Sequence, residues 1–259
     1  MTVILKNIFR FPIKGFSGEE LKEIKLTKGA AIYGDRKFAF ARHETVINEF
    51  SLEFMKKTNF LALVKDEKLA QLKLDLNLEQ NFLKLYFKNK LTFSGSIAEE
   101  NDLNRLSEFI CHFLKIDIMK KPKLVKDKSI KKEMFKHSFS DIPDKAISLI
   151  SLNTIRDIEK KIGKKINFLR FRGNIIFEGL KSWEEFDLIG KNLRIGTAEL
   201  KVFKKTQRCR ATTVNPENGN RDINIPFELN KYYGHFDFGV YSKVIKGGII
   251  SVNDNIKIL

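Results

Sequence analysis

A chain of 259 residues with 42% hydrophobic residues is long enough for one large or two modest domains and can bury a core without disulfides or a structural metal. Two cysteines, Cys111 and Cys209, are too few for a disulfide framework and too widely spaced for a metal knuckle, which points to a reducing compartment. The net charge of +16 rests on 37 lysines and 11 arginines. Lysine that is scattered and alternates with Asp and Glu marks a solvated surface, whereas nucleic-acid readers cluster arginine, so nucleic acid is not expected as the main partner.

From the N-terminus, "TVILKNIFRF", "ELKEIKLTKG", "RKFAFAR", "LALVK", "QLKLDLN" and "NFLKLYF" are short segments, several alternating, divided by Gly, Asn or Asp. They predict an antiparallel sheet or barrel. In the clearest, Leu72, Leu74, Leu76 and Leu78 share one face. The opening residues carry no leader-like apolar core or cleavage site, and no run approaches the roughly 18 apolar residues of a membrane span, so a soluble cytoplasmic protein is expected.

A helix is predicted over 99–115, with Leu103, Leu106, Ile110 and Phe113 in one stripe and acidic residues in its first turn. Cys111 beside that stripe reads as a small buried hydrophobe. His43, His112, His137 and His235 are scattered without metal-ligand spacing. The lysine-rich run from Lys120 to His137 reads as an exposed connection. In "ISLISLNTIRDIEKKIG", a strand ends at Ser151, which can cap a helix carrying Ile155, Ile158 and Ile162 and closing at Gly163. Backbone amides at such a start are free to hold an anion. Strands dominate from there to the end, in a C-terminal part expected to hold one or two helices. The fold class is therefore mainly β with a few helices (α+β), divided into a β-rich N-terminal domain over 1–118 and a β-barrel domain over 119–259.

Two constellations could carry chemistry. Cys209 stands between Arg208 and Arg210, with Lys204 and Lys205 upstream; nearby cations favour the thiolate, the form that attacks electrophiles and binds soft metals. A surface cysteine with chance basic neighbours is the plain alternative, and composition does not separate the two. The second comprises Lys14 in "FPIKGFSGE", Arg36 in "YGDRKF", and Arg172 with Asn174 in "LRFRGNIIFEG". Arginine forks match phosphate geometry and the adjacent glycines permit close approach, which suits a phosphorylated ligand.

The order of these pieces resembles the MOSC-domain family. "FPIKGFSGEELKEIKLTKGAAIYGDRKFAFAR" is similar to its N-terminal segment, "FLRFRGNIIFEG" to its Arg-Phe-Arg-Pro-Asn strand, "QRCRATTVNPENGNRD" to its Arg-Cys-x-x-Thr-Thr-Val-Asp-Pro segment, and "FGVYSKVIKGGIISVNDNIKIL" to its closing strands. The resemblance implies a MOSC-type barrel and a molybdenum cofactor, with Cys209 as the thiolate ligand of the metal and the pterin dithiolene supplying further sulfurs. It also implies that Lys14 and Arg36 approach the cofactor phosphate, that Ser151 and Thr154 open an anion-holding helix, and that Arg172, Asn174 and Arg208 contact the cofactor. Gly15 stands where the family has serine and Gly173 where it has proline. Asn215 and Asn218 replace an aspartate and a threonine.

The function implied is reduction of N-hydroxylated compounds to amines. With no cysteine-rich iron-sulfur segment in this sequence, electrons are expected from a separate ferredoxin, flavodoxin or reductase. Asp35, beside Arg36, is the candidate for handling protons, with a turn aspartate as its plain alternative. A carrier of molybdenum cofactor or sulfur without net redox turnover is the alternative function.

Overall fold

The computed structural model describes residues 2–48, 54–127 and 139–259; most of the lysine-rich run, His137 included, lies outside the described residues. The strands in order are β1 (Val3–Arg10), β2 (Glu19–Leu21), β3 (Glu23–Leu26), β4 (Phe38–Ala41), β5 (Leu72–Asn77), β6 (Phe82–Phe87), β7 (Lys90–Ser96), β8 (Lys123–Lys126), β9 (Ile147–Ser151), β10 (Ile175–Glu178), β11 (Asn192–Ile195), β12 (Ala198–Gln207), β13 (Asp237–Lys246), β14 (Gly248–Ser251) and β15 (Asn255–Ile258). Helices α1 (Glu100–Leu114), α2 (Leu152–Ile162) and α3 (Ile225–Tyr233) complete the set.

Seven strands close a barrel in the order β1, β10, β9, β13, β12, β11, β15 and back to β1. The expected mainly β architecture with a barrel is what forms. β9 and β10 are parallel, and α2 makes the crossover that a parallel pair requires. All five residues of β9 are buried, because helices and barrel interior cover both its faces. Inside, Leu5, Ile8, Leu149, Ile175, Leu193, Leu200, Val202 and Val240 form the core. β1 lies in the barrel and β3 pairs with β14, so the first strands pack with the C-terminal ones.

A second core joins the β5-β6-β7 sheet, α1 and β4, with Ile13, Phe16, Phe40, Leu76, Leu85, Leu106 and Ile110 at its centre. Of the four leucines on the β5 face, Leu72 and Leu76 are buried, and Leu74 and Leu78 pack against them. Cys111 is buried on α1, where burial pushes its thiol up.

One expectation fails locally. "LALVK" forms no strand: Leu61 N–H meets Phe40 C=O once, at 2.8 Å, and the chain then turns at 63–65. A short apolar run without alternation does not distinguish a strand from a buried loop. The C-terminal part holds two helices, α2 and α3, within the expected one or two, although only α2 was placed. The signals for α3 were in the sequence: an Asn224 cap that accepts from Phe227 N–H, Pro226 in the first turn, and Gly234 as left-handed C-cap.

Candidate functional site

Between the barrel and the second core lies a cavity of about 800 Å³, lined by Arg36, Lys57, Asp141, Arg172, Lys204, Lys205, Arg208, Cys209 and Tyr241 among others. A side pocket of about 40 Å³ shares Arg36, Lys57, Asp141, Arg172 and Cys209 with it and reaches Lys14 and Gly15. Cys209 follows the end of β12, and its carbonyl accepts from the Thr212 N–H at 3.0 Å and the Thr212 hydroxyl at 2.9 Å. This tight turn leaves the thiol partly exposed at the cavity wall.

Three arginines are fixed by the folded backbone. Arg208 donates through Nε and Nη2 to Phe238 C=O at 2.8 and 2.6 Å, and through Nη1 to Phe171 C=O at 2.9 Å. Burial pushes its guanidinium down to about 10. Gly239 lies opposite at φ +72, where a Cβ would stand 2.5 Å from Leu149 O and 3.3 Å from Arg208 Nη2. Arg172 stacks over Phe11 with its Cζ 4.4 Å from the ring centroid and donates to Phe16 C=O at 2.5 Å. Burial, then neighbouring Arg36, pushes it down to about 9. Arg36 donates to Arg172 C=O at 3.1 Å; burial works against its charge, but Asp35 and Asp141 outweigh that and raise it. Arg36 and Arg172 both hold positive φ, at 47° and 50°, backbone that non-glycine residues adopt at a cost and that clusters at functional sites.

Asp35 is buried at 4% exposure. One oxygen accepts from Phe11 N–H at 2.8 Å and Asn174 Nδ2 at 3.2 Å, and the other pairs with Arg36. Asp35 does not line the cavity; it anchors Arg36 from behind. Asn174 is likewise engaged with the barrel. Its Oδ1 accepts from Ser148 N–H and hydroxyl at 3.1 and 2.9 Å, and its Nδ2 also donates to Phe9 C=O at 3.2 Å.

Lys14 is buried, and its Nζ donates to Phe139 C=O at 2.9 Å and pairs with Asp141 Oδ1 at 3.1 Å. Burial lowers its pKa and Asp141 partly offsets this. Asp141 has a half-open side chain, and Lys14, joined by Arg36 and Lys57, holds its carboxyl well below the usual range. Phe139, fully buried against Phe60 with ring centroids 5.2 Å apart, pins the segment that carries Asp141. Lys57 opens the short helical turn at 57–59. Burial works against its charge, but Cys209 and then Asp141 outweigh that and raise it. Burial also raises the phenol of Tyr241.

Ser151 and Thr154 lie elsewhere. Both are fully buried; the Ser151 hydroxyl caps Thr154 N–H at 3.4 Å, and the Thr154 hydroxyl donates to Glu185 Oε2 at 2.7 Å while accepting from Trp183 N–H at 3.0 Å. The start of α2 therefore faces a buried carboxyl, and neither hydroxyl lines the cavity. Burial pushes Glu185 up to about 7.

The cavity thus joins one thiol to a ring of cations, an arrangement that can bind an anionic ligand carrying a metal. Residues 135–257 match the family model described as the MOSC domain. The C-terminal part of the chain is thus similar to a MOSC domain. Curated relatives include mitochondrial amidoxime reducing component 2 of Bos taurus, 31% identical over 120 residues covering 42% of this chain and 35% of the relative. Human mitochondrial amidoxime-reducing component 1 is 30% identical over 128 residues, 43% of this chain and 36% of the relative. The matched stretch thus spans about a third of these relatives' length. Among solved structures, the YUAD protein of Bacillus subtilis overlays 100% of this chain and 96% of its own at 12% identity and a TM-score of 0.44, and YiiM of Geobacillus stearothermophilus overlays 44% and 53% at 19% and 0.36.

Of the residues expected at a site, Cys209, Arg208, Arg172, Arg36 and Lys14 converge in the MOSC-side cavity and its side pocket; Asn174 and Asp35 stand behind them, and Ser151 and Thr154 do not join. Sequence reasoning missed Lys57, Asp141 and Tyr241. Only Tyr241 had a signal, its place in the quoted "FGVY" segment.

Proposed function

We propose that the chain is an oxidoreductase that holds a molybdenum cofactor in the cationic cavity, with Cys209 as its protein ligand to the metal, and reduces N-hydroxylated compounds to amines with electrons from a separate protein. The observation that carries this reading is one partly exposed thiol facing a cavity of about 800 Å³ ringed by Arg36, Lys57, Arg172, Lys204, Lys205 and Arg208. Among the described residues no group of three His, Cys, Asp or Glu side chains could hold a metal. Among the described residues lining the cavity Cys209 is the sulfur ligand, and a metal held there would take its remaining ligands from an anionic cofactor, which suits a phosphorylated dithiolene. When bound, that group supplies two-electron removal of oxygen from nitrogen. Cations at the wall offset its negative charge, and Arg208 and Arg172, fixed by main-chain carbonyls, hold their positions without reorganisation. Asp35 and Asn174 brace Arg36 and the barrel wall rather than the reacting atoms. Among the described residues no helix is long and apolar enough to cross a membrane.

Molybdenum and pterin content per chain, measured on protein from a cofactor-producing host, tests this. Near-stoichiometric metal with pterin is expected in the wild type, loss of the metal in Cys209→Ala, and turnover of a hydroxylamine with a chemical reductant in the wild type alone. Protein without metal or pterin in either form overturns the reading.

A further inference from the structure

The outward face of the β12-β13 pair carries an excess of positive charge among the described residues. Lys201 lies directly opposite Lys243 in the ladder, and Lys204 opposite Tyr241. Like charges facing each other across strands destabilise a sheet. Lys201, Lys204, Lys205, Lys243 and Lys246 are all exposed. Of these, Lys243 has an ion pair, with Asp144 at 2.7 Å. Glu199, the acidic residue opposite Lys246, is taken by Arg194 at 3.0 Å. Amid the lysines, Phe203 and Tyr241 stack with ring centroids 6.5 Å apart, and Lys243 lies over Phe203 at 4.7 Å. An aromatic centre with a charged rim is the anatomy of a protein interface rather than of a plain solvated surface. The face also runs into the cavity, because Lys204, Lys205 and Tyr241 belong to both.

We propose that this face is the docking surface for an acidic electron-donor protein, which it seats beside the Cys209 cavity. The proposal rests on the oxidoreductase reading above. Charge complementarity selects the partner: five exposed lysines, of which Lys243 is ion-paired among the described residues, attract a negative surface and speed its encounter. Stacked rings among lysines also suit single-stranded nucleic acid, but the continuity of this face with the Cys209 cavity favours the protein.

The test uses full-length, cofactor-loaded protein and two variants of equal charge change: Lys201→Glu/Lys243→Glu/Lys246→Glu on the face, and Lys160→Glu/Lys161→Glu/Lys164→Glu on and after α2. Reduction is followed with flavodoxin and ferredoxin, both acidic, and separately with dithionite, which needs no docking; metal content and retention of single-stranded DNA at low salt are measured in parallel. The face variant is expected to lose about 10-fold or more in the rate with at least one acidic protein donor and to flatten its salt dependence. Metal content and the dithionite rate should stay at wild-type values, and the α2 variant should match the wild type. The docking proposal is overturned if the face variant reduces as fast as wild type with both donors, if the α2 variant loses as much, or if face reversal abolishes DNA retention while leaving donor rates unchanged. Wild-type protein that carries metal yet shows no dithionite-driven turnover overturns the oxidoreductase reading instead, and the docking proposal with it.

Discussion

Two carboxyl groups in this molecule, one fully buried and one half open to water, behave in opposite ways. Glu185 lies under the start of α2 with the Thr154 hydroxyl on one oxygen and no partner for the other among the described residues, and burial lifts it to about 7. Asp141 stands among Lys14, Arg36 and Lys57, which hold it ionised. The first environment removes water and supplies one neutral donor; the second supplies fixed positive charge. What marks the cavity is an excess of cations that Asp141 and Asp237 do not neutralise, and that excess is what an anionic ligand would answer.

The largest effect expected from this contrast is on stability against pH. The Glu185 proton is held more tightly in the folded chain than in the unfolded one, where its pKa is near the ordinary 4.5. The stabilisation is fully present below pH 4.5 and is lost as pH rises through 7, because the fold must then keep a buried carboxylate. A span of 4.5 to about 7 corresponds to about 3 kcal/mol. Glu185→Gln, a neutral mimic, should remove that slope: denaturant unfolding at pH 5 and pH 8 should show a wild type that weakens relative to the variant at the higher pH. Equal pH dependence in the two proteins would show that Glu185 is not held neutral.

Asp141→Asn should produce the reverse sign and a smaller effect. Asp141 has its pKa depressed from 3.8, so its contribution is present above that value and is lost as pH falls towards the folded pKa. The variant leaves the buried Lys14 ammonium facing an amide. Because the Asp141 side chain is half open to water, the cost at pH 7 is about 1–2 kcal/mol rather than that of a fully buried pair. Unfolding at pH 7 and pH 3 checks it: the gap between wild type and variant should narrow at the lower pH, and a gap that widens would reverse the assignment of Asp141 as the ionised partner.

The same contrast explains what the sequence made legible. Barrel strands such as β12 and β13, and helices α1 and α2, announce themselves by local periodicity and caps. Cys209, Arg208, Arg36 and Arg172 stood out as reactive or cationic side chains next to turn glycines and strand ends. Lys57 and Asp141 did not, because their places depend on packing between distant segments: Asp141 is where it is since Phe139 inserts against Phe60. The Ser151 cap was readable locally, but what covers it, Trp183 and Glu185, comes some thirty residues later. An anion site inferred from a helix start alone could not foresee a buried acid lying across it. Helix α3 was legible from Asn224, Pro226 and Gly234, and was missed only because strand signals surround it.

Gly15 sharpens the contrast at its smallest scale. It follows Lys14, lines the side pocket, and holds φ +86, with a Cβ built there 3.1 Å from Leu69 Cδ1 and 3.2 Å from Leu61 O. The related family's serine at this place would meet both the strained backbone and those neighbours, so the glycine here is set by the turn that aims Lys14 at Asp141. Gly15→Ala should cost about 1 kcal/mol, at the low end of the range for left-handed backbone in a non-glycine residue. If that strain is relieved by moving the turn, the Lys14 pairing weakens too, and the variant should add little to Asp141→Asn when the two are combined. Chemical denaturation of the single and double variants reads this directly. Full additivity would mean that the turn and the ion pair are independent, and that Gly15 serves only the packing of Leu61 and Leu69.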